Sequence, residues 1–316
     1  MRPALSIVIC TRNRAALLRD CLASLGRQSV PARDFEVIVV DNGSTDATPD
    51  RVREFESSLS IRRMDEPRLG LSYARNAGWR AAQADYVAFL DDDAEACDEW
   101  ASAAIAAIKT LSPAPDAMAG SISLKWETPR PPWLSDALLG PLGHLWWGDQ
   151  PLLMTPDQKM VGANCCFRRA VLQDLGGFSE DLGRKGSLLL SGEETELQDR
   201  LVSLEKRIWY CPGMAVRHFV PRTRMAPAWF YKRYFWGGVS DCLMRRMLSD
   251  KQSRAAKAGA PPAFVTFGEK LKRVFSYGWH ALGLLSTEAE TVFGRVYFAY
   301  AFGWLSARAG YRAPRG

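Results

Sequence analysis

Three consecutive carboxylates, Asp91-Asp92-Asp93, follow the apolar run Tyr86 to Leu90 (YVAFL). At the end of a buried strand such charges repel strongly in a partly desolvated cleft unless a cation neutralises them. A hard divalent metal suits them, and Mg²⁺ is usually held by one or two carboxylates together with the phosphate oxygens of a substrate. The triplet therefore points to a phosphate-bearing ligand; the plain alternative is a solvated turn or helix start, where Asp is common. Two further polar clusters end apolar runs: Thr11-Arg12-Asn13-Arg14 after Leu5 to Cys10, and Asp41-Asn42-Gly43-Ser44-Thr45-Asp46 after Phe35 to Val40. Later, Ser191-Gly192-Glu193-Glu194 opens a helical pattern with Leu197, Leu201 and Leu204 on one face. The carboxylate pair could do acid–base work, yet Ser191 and Glu194 also have the spacing of a capping box, in which the Glu bonds back to a backbone N–H. The three histidines are His144, His218 and His280, and a lone His is more often structural than a ligand.

The elements that must position these groups are legible as hydrophobic patterns. Leu5 to Cys10 and Phe35 to Val40 are short β-branched runs of the kind that form buried parallel strands. Between them Leu17, Leu18, Cys21, Leu22 and Leu25 share a helical face, giving a βαβ unit. Val52 to Phe55 continues a second helix, Ser60 to Arg63 forms a third strand, and Ser72 to Ala84 is a helix leading into YVAFL. Met118 to Leu124 is a further strand, Trp126 to Pro156 an ordered loop insertion without a clear period, and Met214 to Val216 a strand before His218. The class is α/β with a mostly parallel sheet flanked by helices, and ligands of such sheets bind at the carboxyl ends of the strands, where the polar clusters lie. No G-x-G-x-x-G opens the first helix and no G-x-x-x-x-G-K-[ST] occurs, which takes most of the weight from the dinucleotide and P-loop readings.

The 316 residues suffice for one large or two modest cores, and 47% hydrophobic content excludes a disordered chain. Seven cysteines without paired spacing, and no leading signal-peptide pattern, lead us to expect a reducing compartment, the cytosol. The net charge of +6 is uneven: residues 217 to 316 carry 17 basic and 5 acidic residues, or +12, so the first 216 carry −6. The same last hundred positions hold 19 of the 34 aromatic residues, and Val296 to Ala307, the longest late apolar stretch, is too short to span a bilayer. Trp229, Phe230, Tyr231, Lys232, Arg233, Tyr234, Phe235 and Trp236, and the segment Glu269 to Phe275, suit amphipathic helices at an anionic membrane surface; helices packed on the rest of the chain are the alternative. Nucleic acid would explain the basic tail but not the carboxylate cluster.

In order and spacing, SIVICTRNR, VVDNGSTD, GLSYARNAG and YVAFLDDDA resemble the nucleotide-binding half of family 2 glycosyltransferases with the GT-A fold. VGANCCFRR, LGGF and SGEETEL resemble that family's acceptor half, and Val216-Arg217-His218 its late His, so the resemblance covers about residues 4 to 240. It implies a GT-A-like catalytic domain over 1–225, with a nucleotide-sugar-binding half at 1–124 and an acceptor half at 125–225, followed by a basic aromatic helical extension at 226–316. It further implies inverting transfer of a sugar from a nucleotide-sugar donor, expected to be a UDP-sugar, to a saccharide or lipid-linked saccharide.

Carried onto this sequence, the resemblance gives donor contacts to Thr11, Arg14, Asp41, Arg75, Asn76, Asp91 and Asp92, with Thr11 and Asp41 at the base. Asp93 is the implied direct ligand of Mg²⁺ or Mn²⁺, and His218 completes the metal shell. Glu193 and Glu194 match a Glu-Asp pair whose second carboxylate is the general base; Glu in place of Asp moves the carboxylate outward by about a bond length, so both remain candidates and Glu194 is favoured. Trp126, Trp133, Trp146 and Trp147 either stack on a sugar or pack. The expected partners are the donor, the acceptor, an anionic membrane surface on the cytoplasmic face of the inner membrane, and a second subunit at the C-terminal helices. A non-catalytic nucleotide-sugar-binding subunit is the competing reading. A sugar nucleotidyltransferase would need a Gly-rich, Arg-containing first loop that the chain lacks.

Overall fold

A computed structural model of the chain describes residues 2–186, 188–255 and 287–309. The chain divides into two compact units. The first comprises residues 1–125, 143–181 and 193–219, and the second 126–142, 182–192 and 220–316.

The first unit is built on a nine-stranded sheet. Its strands are β1 (Leu5–Thr11), β2 (Phe35–Asp41), β3 (Ile61–Asp65), β4 (Tyr86–Asp91), β5 (Ala94–Ala96), β6 (Ala117–Trp126), β7 (Leu152–Leu153), β8 (Asn164–Arg168) and β9 (Ile208–Val220). They run in the order β3-β2-β1-β4-β8-β6-β9-β5, with β7 on β9. The pairs β3·β2, β2·β1 and β1·β4 are parallel, and the sheet continues antiparallel through β4·β8 and β8·β6. β1 and β2 are buried along nearly their whole length, which is why they appear in the sequence as unbroken apolar runs.

The helices of this unit are α1 (Ala15–Leu25), α2 (Thr48–Arg53), α3 (Leu71–Ala81), α4 (Trp100–Thr110), α5 (Arg169–Leu175) and α6 (Glu193–Ser203). α1 buries Leu18, Cys21, Leu22 and Leu25, the apolar face of its sequence pattern. α3 lies very close to the sheet because Gly78 has no side chain: a Cβ there would sit 2.3 Å from Val8 Cγ1. On α6, Leu197 and Leu201 are buried as the pattern requires, whereas Leu204 falls past the helix end and is 53% exposed. The helix ends at Ser203, one residue before Leu204, and Glu205 follows with φ of 52°. Ser191, whose spacing suggested a cap for α6, has its hydroxyl accepting from Arg233 Nη1 at 3.0 Å. All seven cysteines are free.

In the second unit, α7 (Pro227–Ala255) pairs with α8 (Glu288–Arg308). Two glycines permit a close crossing: a Cβ on Gly238 would lie 2.0 Å from the Tyr300 carbonyl oxygen, and one on Gly303 would lie 2.0 Å from that of Phe235. Leu190, Trp236, Val239, Cys242 and Ala307 form the shared core. α8 starts with a capping box, Thr287 Oγ1 accepting from the Glu290 N–H and Glu290 Oε2 accepting from the Thr287 N–H. At its other end Arg246 Nη2 donates to the carbonyls of Ala307 and Arg308 at 2.8 and 2.9 Å. Trp133, left open between stacking and packing by the sequence, is buried edge-on against Phe230. Among the described residues no helix is long and apolar enough to cross a membrane. The Glu269 to Phe275 segment and His280 lie outside the described residues.

The α3–sheet contact yields a direct test. Gly78→Ala forces a methyl into Val8 and Val40, and overpacking of this kind should cost about 1–3 kcal/mol. A lowered urea midpoint at constant slope is the expected result; an unchanged midpoint would show that α3 can move off the sheet freely.

Candidate active site

Parallel register brings the polar clusters to one edge. Thr11 of β1 stands opposite Asp41 of β2, and Cys10 stands opposite Asp91 of β4, so three apolar strands end side by side in polar residues. Thr11 Oγ1 donates to Asp92 Oδ2 at 2.8 Å. Arg14, just before α1, spans two carboxylates: Nη1 donates to Asp92 Oδ1 and Nη2 to Asp93 Oδ2, the latter at 2.9 Å. Burial opposes the Arg14 charge, but Asp92 and Asp93 outweigh it and hold the guanidinium above its ordinary pKa. For Asp92 burial dominates; together with Asp93 and Asp91 it pushes the carboxyl up to about 6 against the pull of Arg14 and the Thr11 hydrogen bond.

β5 carries the chain from this triplet back alongside β9, and the pairing of Ala94 with His218 delivers the imidazole. His218 Nε2 lies 3.1 Å from Asp93 Oδ1. The Phe219 N–H, donating to the Asp93 carbonyl at 2.8 Å, locks that register. Asp91, Asp93 and His218 each offer a ligand atom within 4.8 Å of the others. Two carboxylate oxygens and one imidazole nitrogen, with Asp93 and His218 buried, form a donor set that fits a divalent cation. Gly143 packs against this ring, its hypothetical Cβ 3.1 Å from His218 Nδ1.

The remaining residues singled out in the sequence divide into two groups. Arg75 of α3 joins the same edge. Its guanidinium is almost wholly buried, donating from Nη1 to Glu193 Oε1 at 2.7 Å and from Nη2 to the Gly162 carbonyl at 3.0 Å and Asp91 Oδ1 at 3.3 Å. Burial works against its charge, and Glu193 and Asp91 hold it protonated well above the usual guanidinium range. Glu193 Oε2 has no hydrogen-bond partner among the described residues, and the neighbouring Glu194 is half-buried on the first turn of α6. Asp41 is buried with Oδ1 accepting from the Ser44 N–H and Oδ2 accepting from Arg63 Nη1, both at 2.8 Å. The Asn76 amide is hydrogen-bonded to a turn: Oδ1 accepts from Trp79 Nε1 and the Phe178 N–H, and Nδ2 donates to the Phe178 carbonyl at 2.9 Å. That turn needs Gly177, whose φ is 76° and whose Cβ would lie 2.4 Å from Asn76 Oδ1.

Sequence reasoning missed Arg63, Gly162 and the grouping of Asp91 with Asp93 and His218. Arg63 lies on the edge strand β3, where every residue is half-buried or exposed, and has no motif around it. Gly162 does lie in the VGANCCFRR segment, so only its contact with Arg75 was hidden.

With this geometry established, comparison with known proteins is decisive for the family. Residues 6–175, more than half of the chain, match the model of Glycosyl transferase family 2. The chain belongs to that family. It is 45% identical over 114 residues to the validoxylamine A glucosyltransferase of Streptomyces hygroscopicus subsp. jinggangensis, a match spanning 35% of this chain and only 27% of that protein. It is 27% identical over 250 residues, 76% of either chain, to the glucosyl-dolichyl phosphate glucuronosyltransferase of Haloferax volcanii. Among solved structures, the mannosyltransferase PcManGT from Pyrobaculum calidifontis, in complex with GDP-Man and Mn²⁺, superposes with a TM-score of 0.59 at 21% identity, covering 98% of this chain and 88% of that one. The fold is thus that of the GT-A glycosyltransferases, with C-terminal helices added.

Asn76 is where a donor contact and a purely structural role diverge. Asn76→Ala leaves the buried Phe178 N–H and Trp79 indole N–H without their acceptor, which should cost about 1–3 kcal/mol of stability in urea unfolding. Unchanged stability would show that the turn does not depend on the Asn76 amide.

Proposed function

We propose that this protein is an inverting glycosyltransferase that moves a sugar from a nucleotide-sugar donor, a UDP-sugar, to a hydroxyl of a saccharide or lipid-linked saccharide. Residues 1–225 are its catalytic part and 226–316 its extension. The observation that carries the reading is the convergence of Asp91, Asp93 and His218 at the strand ends, with the Glu193-Glu194 pair tied to the same edge through Arg75. Family membership and the names of the relatives point the same way.

Asp93, His218 and Asp91 would hold Mg²⁺ or Mn²⁺, which when bound supplies positive charge beside the diphosphate as UDP leaves. Asp41 can accept the imide N–H of uracil, since a carboxylate oxygen with one partner keeps a second lone pair, and the Thr11 hydroxyl lies opposite it in the sheet register. The family resemblance puts Asp91 and Asp92 near the ribose and diphosphate, and the Arg14 guanidinium beside Asp92 is able to donate to phosphate oxygens. Glu193 Oε1 accepts from Arg75, and of the two carboxylates Glu194 is the favoured base. Its carboxylate takes the proton of the acceptor hydroxyl as that oxygen attacks the anomeric carbon opposite the leaving UDP, so one displacement inverts the centre.

The test is UDP release from a panel of nucleotide sugars. We expect release that stops in excess chelator and in Asp93→Ala, and Glu194→Gln should retain its melting temperature while turnover falls on the order of a hundredfold. UDP binding without turnover of any nucleotide sugar would instead make the protein a non-catalytic binding subunit.

The extension is the part we assign to the membrane surface. On α8, Phe298, Phe302 and Leu305 are exposed in one stripe at helical spacing, 67% so for Phe302, with Arg295 and Arg308 at its ends. Apolar side chains between basic ones suit the headgroup boundary of an anionic bilayer. Liposome flotation should show binding that requires anionic lipid, falls with salt and drops in Phe302→Glu; wild type that stays soluble with anionic liposomes at low salt would make the stripe a subunit contact.

A further inference from the structure

Arg75 is buried between the strand-end Asp91 and the first turn of α6. Its side chain is 3% exposed, its guanidinium lies 5.4 Å from the centre of the Phe178 ring, and its donors reach Glu193, Asp91 and the Gly162 carbonyl. Glu193 and Asp91 lie far apart in the chain, on α6 and β4, and among the described residues no other cation is shown between their carboxylates. A planar fork can hold two carboxylates at a fixed separation and orientation, which a single ammonium cannot. Space for the fork exists because position 162 is glycine: a Cβ there would stand 2.6 Å from Nη2 and 2.9 Å from Nη1.

We propose that Arg75 is a positioning residue that sets Asp91, on the metal side, and Glu193, beside the base, in one rigid frame, and that it does not contact the donor. The inference rests on the transfer reaction proposed above. Without the guanidinium, Glu193 keeps a buried carboxylate with no cation, so Asp91 and the start of α6 each lose their fixed point. Gly162 is then a required partner, since any side chain there displaces the fork while the backbone itself is unstrained.

Two variants separate this from other roles. Arg75→Lys keeps the charge and loses the fork; Gly162→Ala keeps Arg75 and shifts it, and remains informative if the first variant does not fold. Both should bind UDP in the absence of metal as wild type does. Both should bind Mn²⁺ on the order of tenfold more weakly in calorimetry. Their kcat should fall on the order of a hundredfold, with the donor KM little changed. Metal-free UDP affinity falling in step with activity would make Arg75 a donor contact and overturn the proposal. A lowered melting temperature with wild-type kcat and Mn²⁺ affinity would overturn it too, leaving Arg75 a stabilising residue only. Wild type that binds neither Mn²⁺ nor UDP would sink the transfer reaction itself, an outcome distinct from either of these.

Discussion

Like-charge repulsion is the constraint on which this molecule turns. Asp91, Asp92, Asp93 and Glu193 converge on one edge of a buried sheet, three of them nearly inaccessible to solvent, where carboxylates cannot remain charged together without cations. The protein answers with two guanidiniums, Arg14 over Asp92 and Asp93 and Arg75 between Asp91 and Glu193, and with the His218 imidazole beside Asp93. Much of the first unit serves that arrangement. The parallel strands bring the carboxylates to one edge, Gly78 lets α3 bring Arg75 down, and β5 returns the chain so that β9 can present His218.

Part of this arrangement is legible in local sequence patterns. β1, β2 and β4 are buried on both faces, so they appear as apolar runs, and the residues that follow must be the strand ends where ligands bind. α4 escaped because its WASAAIAAIKT sequence is alanine-rich, with little contrast between its faces. β8 escaped because NCCFR is five residues long and ends in a charge. The site was readable as separate motifs and not as an assembly: Asp93 and His218 meet through β5·β9 pairing, and Arg75 and Glu193 are 118 positions apart. No periodicity reports contacts of that range. The likeness of the ordered motifs to a family supplied what spacing could not.

Asn76 and Arg75 show how one motif serves two surroundings. They are adjacent on α3, yet Asn76 hydrogen-bonds into the Gly177–Phe178 turn while Arg75 faces the carboxylates. One face of the helix builds the frame and the next holds the charge. The second unit shows the same economy, since the glycines that break the helical propensity of α7 and α8 are the ones that let their backbones meet.

A calorimetric titration of UDP into the purified protein, with and without Mn²⁺, probes the strand-end carboxylates most directly. If Asp91, Asp93 and His218 form a metal-assisted diphosphate site, Mn²⁺ should tighten UDP binding by about tenfold or more, equivalent to roughly 1.4 kcal/mol, and Asp93→Ala should erase the difference. Equal UDP affinity with and without Mn²⁺ in the wild-type protein would contradict it, and would leave the carboxylates as a structural network closed by Arg14 and Arg75.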